Sequence, residues 1–201
     1  MNFSDAKNEI VRLLSRVNSK DLPRLIDWMK NSDEVDDGLV DNQKVILQSI
    51  SEDLRTCLPL EAVLSSESLA IQKLQFIFQH VLPDLTGRLV VDVGSRLGAV
   101  LYGGYLYSSA ARLVGVEISA EFVRLQNMAV EKYGFSDRIQ VIHADISTQD
   151  SLLQNADVLI MNNGGLNLSQ WVEELPLDYN VYLGKDGDPD AFKNVHLYRV
   201  L

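Results

Sequence analysis

Apolar residues recur at helical spacing along the first 81 residues of the chain. They stand at i, i+3, i+4 and i+7 over residues 10–17, and the same spacing returns over residues 22–29. Further apolar faces follow over residues 46–54 and 71–81, before a proline and a glycine. This period is typical of amphipathic helices, and proline and glycine commonly end them. The pattern therefore predicts a helical N-terminal extension over residues 1–84.

Within that extension lies an acidic segment, residues 31–43, which contains five acidic residues and no basic one. A block of like charges is typical of a solvated connection between structured elements. We therefore predict an acidic linker over residues 31–43. The alternative is a docking segment for a basic partner.

The period of the apolar positions changes after residue 88, where short apolar runs alternate with helical patterns. The four runs are residues 89–91, 113–116, 139–142 and 158–161. Strands that are almost wholly apolar and alternate with helices form parallel sheets covered on both faces. Residues 85–201 are therefore predicted to form an α/β domain with a doubly wound, mostly parallel sheet.

The C-terminal part of the chain has a different pattern. Residues 168–175 have helical spacing, which predicts one helix after the fourth strand. Residues 179–183 and 195–201 alternate in polarity and flank a loop that contains glycine and proline. Alternation around turn residues is typical of a hairpin. The sheet is therefore expected to close with an antiparallel hairpin of these two strands.

Composition and charge exclude several classes of protein. The chain has 28 acidic and 18 basic residues, a formal net charge of −10, which argues against the basic surface that nucleic-acid binding requires. No apolar run reaches the roughly 18–20 residues that span a bilayer, and the N-terminus lacks the layout of a secretion signal. One cysteine and three scattered histidines offer no spacing for a metal site. We expect a cytoplasmic or nuclear protein with no metal and no membrane partner.

Three of the predicted strands end near a carboxylate: Asp92, Glu117 and Asp145. Ligands of open α/β sheets bind beyond the carboxyl ends of the strands, so these carboxylates predict an acidic pocket. The turn after Asp92 has G-x-x-x-G spacing, whereas dinucleotide sites have G-x-G-x-x-G and bring an anionic pyrophosphate over the turn. A ligand with positive charge, an adenine and a ribose fits this pocket better. S-adenosylmethionine has all three.

Four segments of this half resemble, in order and spacing, the motifs of class I S-adenosylmethionine-dependent methyltransferases. They are residues 90–98, 114–119, 137–146 and 157–163. The resemblance implies a Rossmann-like methyltransferase sheet with S-adenosylmethionine as the cofactor. The residues that it assigns to the cofactor are Asp92, Gly94, Ser95 and Gly98 for the methionine portion, Glu117 for the ribose, Asp145 with Ile146 for the adenine, and Ile118 beside them.

Methyl transfer depends mainly on positioning the nucleophile, and a general base is needed only for a protonated acceptor. Asn162, at the predicted end of the fourth strand, is the candidate catalytic residue, because its side-chain oxygen can hold an amine or an amide. The alternative for Asn162 is a turn residue that bonds its own backbone. Arg96 stands where many family members have glycine, which predicts either an outward side chain or one that lies over the pocket.

The sequence after residue 163 is shorter than the family pattern, in which a further helix and a fifth strand precede the hairpin. Two functions are consistent with this. The first is methyl transfer to a protein or small-molecule nucleophile. The alternative is a catalytically silent, methyltransferase-like binding or regulatory protein that lacks part of the substrate half. The sequence does not fix the methyl acceptor or the oligomeric state.

Overall fold

The computed structural model describes residues 3–31, 33–57, 67–161, 172–180 and 192–200. The helices are α1 (Phe3–Leu14), α2 (Leu22–Asn31), α3 (Asp33–Thr56), α4 (Glu67–Phe76), α5 (Ala99–Tyr107), α6 (Ala120–Lys132) and α7 (Asp150–Asn155). The strands are β1 (Leu89–Val93), β2 (Arg112–Glu117), β3 (Ile139–His143), β4 (Val158–Met161), β5 (Val172–Leu175) and β6 (Leu197–Val200). Within the described ranges, no helix combines the length and the apolar character that crossing a bilayer requires.

The four apolar runs after residue 88 form one parallel sheet in the order β3-β2-β1-β4. Val90 and Leu113 are buried on one face of it, in a cluster with helices α3 to α6. Val91 and Val114 are buried on the other face, against residues around α7. The doubly wound, mostly parallel sheet is confirmed. The chain runs outward from β1 through β2 to β3 and then returns to place β4 on the other side of β1. The strand order therefore reverses at β1, and ligands of such sheets bind beyond the carboxyl ends of the strands at this point.

The chain divides into two compact units, residues 1–42 and 43–201, and the division falls inside the span of α3. In the second unit, Leu47 and Ile50 of α3 and Leu74 of α4 are buried in the same cluster as the strands. The side-chain amide of Gln43 donates to the carbonyl oxygen of Leu106 at 2.6 Å. Residues 43–57 and 67–81 therefore contribute to the core of the sheet, and the domain boundary after residue 84 stays a prediction.

The acidic segment, residues 31–43, is largely helical, and its role as a linker stays a prediction. Helix α3 begins at Asp33, so the segment is helical from that residue onward. Acidic residues are favourable in the first turn of a helix, where the helix dipole presents partial positive charge. A block of carboxylates followed by an apolar period is therefore as compatible with a helix start as with a solvated connection.

The C-terminal antiparallel pair is confirmed, but its first strand is a different segment. Strand β5 pairs with β6 in a separate two-stranded sheet, with Val172 opposite Val200. The helix predicted over residues 168–175 is wrong for residues 172–175, which are β5. Of the predicted strand 179–183, residues 179 and 180 lie in no strand and residues 181–183 lie outside the described ranges.

Pairing with β6 keeps β5 extended despite its helical spacing, and side-chain contacts with Arg199 and with His196, which precedes β6, accompany this pairing. Glu173 is opposite Arg199, and their charged groups approach to 3.7 Å. Nδ1 of the His196 imidazole lies 2.8 Å from Oε1 of Glu174. Opposite charges on facing residues stabilise an antiparallel strand pair. The helical spacing over residues 168–175 is short, and strand pairing easily overrides it.

Candidate functional site

The turn between β1 and α5 folds back onto β2. The backbone N–H groups of Gly94 and Ser95 both donate to the carbonyl oxygen of Val116, at 2.9 and 3.2 Å. Gly94, Arg96 and Gly98 have φ angles of +71°, +49° and +83°. Left-handed backbone suits glycine, whereas at Arg96 it brings Cβ close to the following carbonyl. The local structure of this turn therefore depends on both glycines.

The two glycines of the turn meet different surroundings. A Cβ atom at Gly98 would lie 2.7 Å from Tyr102 Oη and 3.1 Å from Gln126 Oε1, so this position has no room for a side chain. A Cβ atom at Gly94 would meet nothing within 4 Å. Gly94 thus leaves its backbone open to an approaching ligand, whereas Gly98 is required by packing beneath the turn.

Two buried carboxylates lie beside this turn. Asp92 and Glu117 are 3% and 5% exposed. Asp92 is opposite Gly115 in the sheet, and Glu117 is two residues further along β2, so both side chains lie on the same face. A Cβ atom at Gly115 would lie 2.7 Å from Ser95 Oγ, so the absence of a side chain there lets Ser95 reach the sheet. Burial and the negative charge of Glu117 raise the pKa of Asp92 to about 7.

The two carboxylates differ in their hydrogen bonds. One oxygen of Glu117 accepts from the backbone N–H of Arg96 and the other from that of Ser119, each at 2.8 Å. Among the described residues, none donates to the carboxylate of Asp92. A carboxylate has about four lone-pair sites, so Glu117 retains sites for two further donors. All the sites of Asp92 are free for a donor or a cation.

The end of β3 holds its carboxylate in another way. Asp145 is exposed, and its Oδ1 accepts from both the backbone N–H and the hydroxyl of Ser147, at 2.9 and 2.8 Å. These bonds lower the pKa of Asp145. The backbone N–H of Ala144 donates to the carbonyl oxygen of Glu117 at 3.1 Å, which brings the ends of β2 and β3 together. Asp145 therefore lies at the same edge of the sheet, with one oxygen still free.

Two apolar residues accompany these carboxylates. Ile118 follows Glu117 directly and is 67% exposed, which is high for a large apolar side chain. Its carbonyl oxygen contacts Nε2 of His143 at 3.0 Å. Ile146 is half-buried and packs with the cluster on the α7 face of the sheet. Ile118 thus offers a free apolar surface at the ligand edge, whereas Ile146 is partly engaged in the core.

The candidate catalytic residue, Asn162, lies outside the described residues, so its role stays a prediction. The structure reaches Met161, which ends β4 opposite Val93 and is 40% exposed. Arg96 is exposed, and its backbone N–H rather than its charge contacts the carboxyl pair. Among the described residues, no group of three or more potential metal ligands comes together.

Sequence reasoning missed Gln126, a fully buried residue of α6. Its Oε1 accepts from the hydroxyl of Ser95 at 2.9 Å, which fixes the glycine turn to α6. Its amide nitrogen and the hydroxyl of Tyr102 have no hydrogen-bond partner among the described residues. The available signal was a glutamine at helical spacing with Phe122 and Ala129, on an otherwise apolar face.

Comparisons with known proteins find similarity in solved structures, while no protein-family model and no curated protein matches the chain. A methyltransferase of Podospora anserina with bound S-adenosylhomocysteine is 17% identical, with a TM-score of 0.45, over 65% of this chain and 58% of that one. The O-methyltransferase of Bacillus cereus in complex with S-adenosylhomocysteine is 16% identical, with a TM-score of 0.42, over 59% and 54%.

A third similar structure is an S-adenosylmethionine-dependent methyltransferase of Geobacter sulfurreducens in complex with S-adenosylhomocysteine. It is 25% identical, with a TM-score of 0.34, over 38% of this chain and 30% of that one. The chain spans less than two thirds of the length of each of the three proteins.

Proposed function

We propose that this chain binds S-adenosylmethionine at the carboxyl ends of β1, β2 and β3 and transfers its methyl group to a protein or small-molecule nucleophile. The observation that carries the proposal is the buried carboxyl pair, Asp92 and Glu117, beside the open backbone of Gly94. Buried negative charge is unfavourable unless positive charge or hydrogen-bond donors compensate it. The ammonium and sulfonium groups of this cofactor meet that requirement.

The residues at the site fit the other parts of the cofactor as well. The free lone pairs of Glu117 suit the two hydroxyls of a ribose, since a carboxylate accepts several donors at once. The exposed side chain of Ile118 offers an apolar surface to one face of an adenine. The second oxygen of Asp145 can accept from the exocyclic amine. Each residue is thus assigned the part of the ligand that its free atoms can bind.

When bound, S-adenosylmethionine supplies a methyl carbon that its sulfonium already activates. The chain's own contribution is then to fix the ligand, to align the acceptor and to exclude water. The turn at Gly94 and Ser95 is fixed to β2 and α6 by hydrogen bonds, so it presents a preorganised surface. Asn162 is proposed to hold the acceptor by its side-chain oxygen.

The acceptor is proposed to be a protein or a small molecule because the net charge of −10 opposes association with nucleic acid. We also propose that the protein is cytoplasmic or nuclear.

The test is isothermal titration calorimetry with S-adenosylhomocysteine, S-adenosylmethionine and NAD. The full chain is expected to bind both adenosyl ligands and not NAD. Glu117→Gln removes one charged acceptor and should weaken binding by about tenfold or more, since a hydrogen bond to a charged group contributes about 1.5–3 kcal/mol. Glu121→Gln, on the exposed first turn of α6, is the matched control and should bind as the wild type does.

Circular dichroism checks that each variant is folded. A folded wild-type chain that binds neither adenosyl ligand at millimolar concentration contradicts the proposal. Binding without methyl transfer to any tested acceptor would instead support a catalytically silent binding protein.

A further inference from the structure

We propose that Asp92 is the member of the buried carboxyl pair that carries a proton in the ligand-free protein, and that a cationic ligand releases this proton when it binds. The inference rests on the proposed function and adds to it a coupling between the charge of the ligand and pH. It assigns to Asp92 the role of selecting positive charge.

Among the residues that the structure describes, those around Asp92 provide almost nothing that stabilises a negative charge. Its neighbours in the sheet are Gly115 on β2 and Ile160 on β4, and neither side chain offers a hydrogen bond. Its side chain is nearly inaccessible to water. Without water, donors or a cation, the ionised form of a carboxyl group is strongly disfavoured.

Charged groups occur on β2, on β3 and in the turn after β1. On β2 the charged groups are Glu117 and Arg112, and Arg112 is exposed at the opposite end of the strand, where its guanidinium donates to Gln140. On β3 it is His143, which is opposite Glu117, is exposed and contacts a backbone carbonyl. The side chains of β4 and α5 carry no charge. The turn contributes Arg96, whose side chain is exposed. Of these groups, Glu117 is the one whose charge acts on Asp92.

The unequal hydrogen bonds of the pair decide which carboxyl takes the proton. Both oxygens of Glu117 accept a backbone N–H, whereas Asp92 accepts none from the described residues. A second negative charge in the same poorly hydrated volume is repelled by the first. Burial and this repulsion together raise the pKa of Asp92 to about 7. Protonation removes the repulsion without disturbing the turn that Glu117 holds.

A cation beside Asp92 reverses this balance because it favours the ionised carboxylate. Binding of a cationic ligand near neutral pH therefore releases a proton, and below that range protons compete with the ligand. Affinity for the cation should fall by up to about tenfold for each pH unit below 7, since one proton is then exchanged per ligand. A neutral ligand of the same shape should show no such fall.

The experiment measures the number of protons released on binding. S-adenosylhomocysteine, a zwitterion with an ammonium group, and 5′-methylthioadenosine, which has no ammonium group, are titrated into the full chain by calorimetry. Buffers of different ionisation enthalpy are compared at pH 6, 7 and 8. Proton release with S-adenosylhomocysteine, whose ammonium group binds beside Asp92, should be roughly 0.9, 0.5 and 0.1 at these pH values, as a single group titrating near 7 requires. Release with 5′-methylthioadenosine should be close to zero.

A ligand-free measurement separates this inference from the proposed function. The carboxyl carbon of Asp92 is followed by carbon-13 NMR against pH, and its resonance is assigned by its loss in Asp92→Asn and its retention in Asp150→Asn. A midpoint near 7 supports the inference, and a midpoint near the ordinary aspartate value of 3.8 overturns it whether or not a ligand binds.

The two measurements together have distinct outcomes. A midpoint near 7 with no proton release on binding of S-adenosylhomocysteine overturns the displacement of the proton. Failure of every adenosyl ligand to bind contradicts the proposed function and the displacement with it, while the titration still judges the protonation of Asp92 by itself.

Discussion

The middle strands and the edge strand of the sheet both carry carboxylates near their carboxyl ends, but these carboxylates differ in burial and in hydrogen bonding. On the middle strands β1 and β2, Asp92 and Glu117 are buried beneath the turn that leads into α5. After β3, an edge strand of the four-stranded sheet, Asp145 is exposed and caps its own turn. Asp92 lies within β1, Glu117 ends β2 and Asp145 follows β3 by two residues, so the three carboxylates are staggered along one edge of the sheet. They also differ in the cover that neighbouring elements provide.

The ionised carboxylate after the edge strand stabilises the fold, whereas the ionised carboxylate of the middle strand requires a ligand to compensate it. Asp145 is satisfied by Ser147 within two residues of sequence, so its ionised form supports the folded state. Asp92 lacks a donor among the described residues, so its ionised form opposes folding. Variants at the two positions should therefore respond to pH with opposite signs.

The largest expected effect is that of Asp92→Asn on the pH dependence of stability. The pKa of Asp92 is about 7 in the folded state, whereas the ordinary value, which applies to the unfolded chain, is 3.8. Between pH 3.8 and pH 7, the unfolded chain therefore loses a proton that the folded chain keeps. Stability of the wild type should fall relative to the variant as pH rises from 4 to 7, by up to about 4 kcal/mol, and level off above. Urea unfolding of both proteins across this range measures the difference.

Asp150→Asn, at an exposed position in α7, serves as the control and should leave the wild-type curve unchanged in this range. A difference between wild type and Asp92→Asn that stays constant from pH 4 to 8 would show that the middle strands hold this carboxylate no differently from the edge.

The next effect concerns the turn that covers the middle strands. Gly98→Ala places a Cβ atom 2.7 Å from Tyr102 Oη at a φ of +83° and should reduce the free energy of unfolding by about 3 kcal/mol. Gly134→Ala is the matched control because its φ is +72° and its surroundings are open. It should reduce stability by about 1 kcal/mol, the strain of the left-handed backbone alone.

Thermal and urea unfolding of the two alanine variants distinguish packing from backbone strain. Equal losses at Gly98 and Gly134 would mean that the space beneath the turn can relax, and that the cover over Asp92 is loose. A larger loss at Gly98 supports a rigid turn.

Features of the structure that depend on local sequence patterns were predictable, whereas features that depend on contacts between distant segments were not. The parallel sheet and the acidic edge were predictable because apolar runs and strand-end carboxylates are local patterns with a fixed topological meaning. The partner of β6 was not, because pairing with Val172–Leu175 is decided by contacts between distant segments. The burial of Asp92 against the exposure of Asp145 was also hidden, since both read alike as acidic strand ends.

Two further differences have physical causes that a single sequence does not show. The charge of the acidic segment, residues 31–43, fits a linker and a helix start equally well, and α3 begins at Asp33. Gln126 is polar by type but occupies the buried face of α6, where its side-chain oxygen accepts a hydrogen bond from Ser95. Its part in the site depends on the turn packing against that helix.

A smaller effect is expected at Arg96, whose backbone supports Glu117 in a left-handed conformation. Arg96→Gly retains the N–H that donates to Glu117 and removes the close approach of Cβ to the backbone. It should raise the free energy of unfolding by about 1 kcal/mol. Unfolding in urea measures the gain, and Arg124→Gly, within helix α6, should instead lower stability by about 1 kcal/mol. A loss at Arg96 would show that its side chain makes a contact that outweighs the strain.

The smallest effect should come from Asp145→Asn, and its sign completes the comparison. The hydrogen bonds from Ser147 lower the pKa of Asp145, so its stabilising contribution is present above the ordinary aspartate value and is lost as pH falls through the lowered one. The variant keeps an acceptor for Ser147 but loses the charge. It should therefore be slightly less stable than the wild type at pH 7, and the difference should shrink as pH falls below 3.8, which urea unfolding over this range measures. Above the ordinary aspartate pKa value, Asp92→Asn should be more stable than the wild type and Asp145→Asn should be less stable. If Asp145→Asn gains as well, cover by neighbouring elements is not what distinguishes the middle strands from the edge, and the buried pair loses its claim to be the ligand site.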